Sequence, residues 1–366
     1  MRLKNLAMLM VLMWCGCVEQ SPLDPNKPLP VDLEEVLVGT PPRRCSLETL
    51  SPRATDLQLH VIDVGQGDAL LLRTPDDGVD GNGVAEGLTI LIDAGDNGLL
   101  GSTDGAEVVS EWLNRFNITK IDYAVVTHAH TDHFGGFIKL FERYDIINVL
   151  EPGYSAGGLK YAQFLEAAAA EVAEHNGVLS QPGGATACSG EVEQLSIWGD
   201  ELGVRLMQAS GDGALLGSVE NSQINNTSLV LHLDYKGIGV LLMGDAEKEV
   251  ETCLSESGLD LSAHILKAGH HGSSTSSTQA LLERVWSEAI PKEKRFAAVS
   301  SGRKDFNGTQ LPSVLTMFRL RTLALSSHVF STEFNDDDKN EEDASGDDNI
   351  VFVVREEGEI EACLVR

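Results

Sequence analysis

Ile121-Asp122-Tyr123-Ala124-Val125-Val126-Thr127-His128-Ala129-His130-Thr131-Asp132-His133 decides the reading of this chain. Its first half is an apolar run, as a strand entering a core is. Its second half reads His-x-His-x-Asp-His, which puts three imidazoles and a carboxylate within six positions. Only ten histidines occur in 366 residues, so this grouping is not a scatter of surface side chains. The turn after the strand fans the four side chains out. Imidazole nitrogens and carboxylate oxygens suit zinc, manganese and iron. Two ligands facing one way and two the other suit a pair of divalent cations, an arrangement used to hydrolyse phosphoesters.

A pair of cations needs ligands from more than one loop. Asp245 follows an apolar strand and Gly244, where a carboxylate can bridge two metals. His270 follows a strand and Gly269. Asp245 could instead cap the helix that begins near Glu247, and His271 reads as a donor from the loop. With the first cluster present, ligation is the favoured reading for Asp245 and His270.

The elements around these residues fall into two similar halves. Residues 57–64 read as a strand, Gly65-Gln66-Gly67-Asp68 as a turn and 69–72 as the return. The strand at 88–92 ends in Asp93, and helices are expected over 105–116, 137–141 and 161–175. In the second half, strands at 228–233 and 238–243 lead to Asp245, a helix at 247–256 and a strand at 264–266. A strand hairpin, an Asp and a helix thus occur twice. That pattern suggests two sheets face to face with helices outside.

The ends of the chain read differently. Arg2 and Lys4 precede a short apolar stretch over 6–14, too short to span a bilayer as a mature helix. It has the form of a secretory leader. Met13-Trp14-Cys15-Gly16-Cys17 resembles a bacterial lipoprotein cleavage box, with Cys17 as the lipidated residue, although an ordinary cleavage nearby is the alternative. Residues 1–17 are therefore assigned to a signal and anchor, 18–56 to a Pro-rich tether and 57–366 to the folded domain. The expected location is the bacterial cell envelope, on the periplasmic or outer-membrane face, with membrane contact through the lipid alone. Cys45, Cys188, Cys253 and Cys363 remain for two disulfides in any of three pairings, or as buried thiols.

The net charge is −29. No basic stripe is visible, which disfavours an extended grip on nucleic acid. Residues 333–348 hold nine acidic side chains and one Lys, and read as a solvated loop.

Taken together, Asp93 in Asp-Ala-Gly, the 128–133 cluster, Asp245 in Met-Gly-Asp-Ala-Glu and His270 in Gly-His-His-Gly-Ser resemble the metallo-β-lactamase superfamily, in its motif order. Three strings are most similar to the soluble hydrolase domain of bacterial DNA-uptake (competence) channel proteins and their free-standing relatives. They are Val61-Ile62-Asp63-Val64-Gly65-Gln66-Gly67-Asp68, Asn225-Asn226-Thr227-Ser228-Leu229-Val230-Leu231 and Leu266-Lys267-Ala268-Gly269-His270-His271-Gly272-Ser273. A phosphocholine esterase of bacterial surfaces belongs to the same neighbourhood. The resemblance implies a four-layer αββα sandwich and two divalent metal ions, zinc or manganese. His128 and His130 would hold the first metal, Asp132, His133 and His270 the second, with the choice between His270 and His271 left open, and Asp245 would bridge. Asp63, Asp93, Asn226 and His271 would orient the ligands. Two departures stand out. No turn between the cluster and Asp245 offers a further His, and Asn225 or Asn226 occupies that region, which points to a weaker first site or to manganese. Phe306-Asn307-Gly308-Thr309-Gln310-Leu311-Pro312 lacks the His that relatives carry before the last helix.

The expected activity is hydrolysis of a phosphodiester by a metal-bridging hydroxide. Asp132 or Asp245 would hold the nucleophile's proton, and Lys267 would neutralise the developing oxygen charge. The segment 273–278 would contact phosphate or simply begin the next helix. Expected substrates are a small phosphodiester or a surface polymer. Hydrolysis of a lactam, lactone or thioester is the rival activity, since one fold hosts many reactions. A surface binding module without catalysis is the third reading.

Overall fold

The computed structural model describes residues 39–79, 87–99, 102–155, 157–182, 188–195, 198–199, 201–209, 215–302, 305–306, 309–333 and 346–366. The expected leader, Cys17, the Pro-rich segment up to residue 38 and most of the acidic run lie outside the described residues.

Short apolar runs separated by Gly- and Asp-rich turns become strands. In chain order these are β1 (Leu57–Val61), β2 (Leu70–Arg73), β3 (Thr89–Ile92), β4 (Lys120–Val125), β5 (Asp145–Leu150), β6 (Leu179–Ser180), β7 (Glu193–Gln194), β8 (Gly203–Gln208), β9 (Val230–Tyr235), β10 (Ile238–Leu242), β11 (Ile265–Lys267), β12 (Phe296–Val299), β13 (Asp305–Phe306), β14 (Thr309–Gln310), β15 (Val329–Ser331), β16 (Asn349–Val354) and β17 (Ile360–Val365). One sheet has the order β17-β16-β1-β2-β3-β4-β5-β6 and the other β15-β12-β11-β10-β9-β8-β7, while β13 and β14 pair apart. The helices are α1 (Leu47–Leu50), α2 (Gly105–Asn114), α3 (Thr131–Phe134), α4 (Phe137–Leu140), α5 (Gly158–Glu174), α6 (Glu220–Asn225), α7 (Lys248–Glu256), α8 (Gln279–Val285) and α9 (Val314–Leu323).

Alternate side chains of each strand serve two different cores, because successive residues point to opposite faces. Leu59, Val61, Leu72 and Ile90 of the first sheet meet Leu206, Leu231, Leu233 and Val240 of the second in a central layer. On the outer face of the first sheet, Leu71 and Leu91 pack with Val109, Trp112 and Phe164 of α2 and α5. On the outer face of the second, Leu241 and Leu266 pack with Val250, Leu281 and Leu320 of α7, α8 and α9. The architecture is the expected αββα sandwich.

The pairing explains where a site can form. β3, β4 and β5 run parallel, as do β10, β11 and β12. Parallel strands end on the same side of a sheet, and ligands collect at those carboxyl ends. Asp93 follows β3, the histidine cluster follows β4, Asp245 follows β10 and His271 follows β11.

The boundary at residue 56 needs correction. Residues 39–56 do not form a free tether. The Cys45 N–H donates to Leu364 O at 3.0 Å, Leu50 is buried, and Cys45 is disulfide-bonded to Cys363. The second disulfide joins Cys188 to Cys253 on α7. The end of the acidic run is also docked: Asp348 is buried and pairs with Arg44 at 2.6 Å.

The Cys45–Cys363 bridge closes a loop with a sequence separation of 318, so its loss frees much unfolded-chain entropy. The Cys45→Ser/Cys363→Ser double variant is expected to lose ~2–4 kcal/mol of stability. Calorimetry should show a lower unfolding midpoint with unchanged metal content.

Candidate metal centre

Asp93 organises the site from the end of β3. Its N–H donates to Val125 O at 2.8 Å, which ties it to the end of β4. Its carboxylate accepts from the Thr127 N–H at 2.8 Å and the Thr127 hydroxyl at 2.7 Å. The same carboxylate lies 2.8 Å from His133 Nδ1. That contact turns the other ring nitrogen inward, the usual way a carboxylate sets a ligating imidazole.

Four more side chains meet His133. Its Nε2 lies 3.4 Å from Asp245 Oδ2 and 3.3 Å from His271 Nε2. His128 Nε2 is 3.8 Å from the same Asp245 oxygen, and His271 Nε2 is 3.3 Å from it. Asp132 Oδ2 stands 3.6 Å from His271 Nε2. Four overlapping sets among the described residues could hold a metal: His128, His133 and Asp245; Asp132, His133 and His271; Asp68, Asp245 and His271; and Asp68, Asp93 and His133. His130 joins at the edge, its Nδ1 3.0 Å from His128 Nε2.

The electrostatics fit cations. Burial works against charged His133 and His271, yet the surrounding carboxylates, Asp245 foremost, hold both well above the ordinary histidine pKa. Burial likewise opposes ionised Asp245, but His271 and His133 hold it well below the usual carboxylate range. His128 is pushed well down by burial and by His133. The upward pull on both rings reports the negative field of the carboxylates, a field that a bound cation would answer in place of protons. Asp245 Oδ1 is buried without a hydrogen-bond partner. An N/O donor set with an orphaned carboxylate oxygen fits a divalent metal by donor type.

Several sequence expectations change. His270 lies outside the cluster: its Nδ1 is 3.2 Å from Thr275 Oγ1 and its Nε2 is 3.4 Å from Asn225 Nδ2. His271, expected to orient ligands, brings its Nε2 into the cluster instead. Both residues have positive φ, 47° and 50°, and this turn sends their rings apart. Lys267 cannot meet a substrate, because it is 1% exposed and its Nζ donates to Asp68 Oδ2 at 2.8 Å. Asp63 does not orient the ligands named here; it accepts backbone N–H groups of Gly65, Gly346 and Asp347 and anchors the acidic run. Asn226 supports the loop after Asp245, its Oδ1 accepting from the Glu247 N–H at 2.8 Å.

Asp68 was missed. Its Oδ1 lies 3.4 Å from His271 Nδ1, which is also 3.2 Å from Ser300 O, so Lys267, Asp68 and His271 form a buried chain. Burial opposes its charge, but Lys267 and then His271 bring the Asp68 pKa down to about 2. The available signal was the Gly-Gln-Gly-Asp turn. Gly67 has φ 139°, and a Cβ there would sit 2.4 Å from Asp132 O, so only glycine lets this turn touch the metal loop.

A cleft of about 560 Å³ opens over the cluster, lined by His130, Asp132, Asp245 and His271 on one side.

Elemental analysis tests the ligand set. His133→Ala and Asp245→Ala are expected to lose bound metal, whereas His270→Ala retains it. Asp68→Asn is expected to weaken metal affinity by roughly 10–100-fold, as loss of a ligand-orienting carboxylate does.

Comparison with known proteins identifies the family of the chain. The metallo-beta-lactamase superfamily model matches residues 62–285. The uncharacterized protein YcaI of Escherichia coli is 26% identical over 263 residues, covering 72% of this chain and 27% of that protein. ComE operon protein 3 of Bacillus subtilis is 25% identical over 260 residues, covering 68% and 29%. Recombination protein 2 of Haemophilus influenzae is 26% identical over 263 residues, covering 72% and 26%. The chain thus spans roughly a quarter of the length of these curated relatives. The metallo-beta-lactamase fold protein YhfI of Bacillus subtilis aligns at a TM-score of 0.41 and 13% identity over 84% of this chain and 99% of that one. With the family match running over more than half of its length and through the end of every strand that carries a ligand candidate, the chain belongs to the metallo-beta-lactamase superfamily.

Proposed function

We propose that this chain is a metal-dependent phosphodiesterase of the bacterial cell envelope. The observation that carries the proposal is the convergence of His128, His133 and His271 on Asp245, whose Oδ1 lacks a partner, with Asp132 beside His271, at the floor of an open cleft. Members of the superfamily are usually metal-dependent hydrolases, and the donor set here is of the kind such enzymes use.

The charge of the site suits an anionic phosphodiester. Asp68 is already neutralised by Lys267. Two divalent cations set against Asp93, Asp132 and Asp245 would leave a net charge of about +1. An anionic diester balances that excess, whereas an uncharged lactone would not. Cations held by these residues would supply Lewis acidity toward a phosphoryl oxygen and lower the pKa of water.

The chain's own groups divide the remaining work. Asp245, almost fully buried, holds its place among three imidazoles. Asp132 has a side chain 27% exposed and lines the cleft, which supports a role for its Oδ2 in taking the nucleophile's proton. Asp93 and Asp68 hold the rings of His133 and His271 in register. Thr278 caps α8 by accepting from the Leu281 N–H, so that end of 273–278 serves the helix. Ser273 and Thr275 also line the cleft, their hydroxyls 3.0 Å apart.

The disulfides support an exported location, since such bonds persist in oxidising compartments. Lipid attachment at Cys17 is part of the same proposal. Among the described residues no helix is long and apolar enough to cross a membrane.

Purified protein loaded with manganese or zinc should hydrolyse bis-para-nitrophenyl phosphate. Chelator should abolish turnover, and added metal should restore it. His133→Ala should lower kcat/KM by ~100-fold or more. Turnover of nitrocefin without diester cleavage would favour the lactam rival. Absence of metal and of both activities would favour the binding module.

A further inference from the structure

The cleft over the metal cluster has a second half that the reaction does not use. Its wall comes from α6 and the residues before it, from Glu247 to Glu249, and from the turn after His271. Glu247 sits at the centre of this wall. Asn225 Nδ2 donates to its Oε1 at 2.8 Å, and the Ser222 hydroxyl donates to its Oε2 at 2.9 Å. Its backbone N–H is held by Asn226. His270 Nδ1 lies 3.4 Å from Glu247 Oε1. The result is a fixed polar array, not a set of loose surface side chains.

One atom of the array lacks a partner. The amide NH2 of Asn225 is committed to Glu247, which fixes the direction of its Oδ1. That oxygen is buried with no hydrogen-bond partner, on a residue 3% exposed that lines the cleft. A buried acceptor without a donor is unfavourable until one arrives.

The charge of the wall narrows what can arrive. Glu247 and Glu249 face a single cation, Lys248, whose Nζ is 4.0 Å from Glu249. Among the described residues lining the cleft there is no arginine, and no aromatic ring other than imidazole. Single-stranded nucleic acid is held by aromatic stacking and cationic tracks, and neither is present here. A second phosphate of a polynucleotide would be carried toward two carboxylates.

We propose that this half of the cleft binds the alcohol arm of a small phosphodiester, an arm that presents hydrogen-bond donors (hydroxyls or an ammonium) to Glu247 and Asn225. This rests on the phosphodiesterase reading of the metal half. The phosphoryl group lies at Asp132 and His271, and the arm lies along α6.

Metal-loaded full-length protein is assayed on glyceryl, aminoethyl and methyl para-nitrophenyl phosphates, which share a leaving group, and on a single-stranded oligonucleotide. At least one donor-bearing ester should exceed the methyl ester by about tenfold in kcat/KM, mainly through KM, the size expected of one added hydrogen bond to a polar site. Which of the two leads separates a hydroxyl arm from an ammonium arm. In Glu247→Gln and Asn225→Ala, the ratio of the preferred ester to the methyl ester should fall toward one. Equal rates on all three esters overturn the proposal and leave the hydrolase reading standing, as does faster cleavage of the oligonucleotide. A ratio that survives both substitutions also overturns it. If either variant does not fold, the wild-type ratio decides alone. Turnover of no diester at all sinks the phosphodiesterase reading and this proposal with it.

Discussion

A carboxylate buried among imidazoles, with one oxygen shared and the other unpaired, is the constraint on which this structure turns. Asp245 is 2% exposed, and a charge so placed is costly unless positive charge stands beside it. The fold meets that need by ending parallel strands of both sheets on one edge. β3 and β4 bring Asp93 and the histidine cluster, and β10 and β11 bring Asp245 and His271. The central layer of Leu59, Val61, Leu231 and Val240 holds the sheets together, so the two halves of the site cannot drift apart without breaking the core.

The backbone near the site is bent out of its ordinary range. Asp93, His270 and His271 all have positive φ, as does Gly67. Such conformations cost free energy in non-glycine residues and persist where the surroundings enforce them. The buried Lys267–Asp68 pair belongs with them, because a pair this deep is weak evidence for stability. Its position behind His271 gives it a positioning use instead.

Much of this was legible in the sequence, and the limits are physical. The 128–133 cluster announced itself because four ligand-type side chains fell on one turn. Asp93 and Asp245 were readable because each follows an apolar strand. The choice between His270 and His271 was not, since two adjacent rings are separated only by a local turn of the backbone. Lys267 looked free because its partner, Asp68, is 199 residues away in the chain. Asp63 looked like a support for the ligands because it shares a string with Asp68, yet its contacts lie with Gly346 and Asp347 at the far end of the chain. The tether was drawn too long because proline content says nothing of Cys45 meeting Cys363. Strands β5, β8, β12, β16 and β17 went unread, because short apolar runs carry no period that separates them from helix or loop.

The most direct test is anomalous scattering from crystals grown with zinc or manganese, recorded on both sides of the metal's absorption edge. The account predicts peaks within ~2.0–2.3 Å of nitrogen or oxygen atoms of His128, His133, His271, Asp132 and Asp245. Peaks ligated by His270 in place of His271, or no anomalous signal between the ends of β4 and β10, would contradict it.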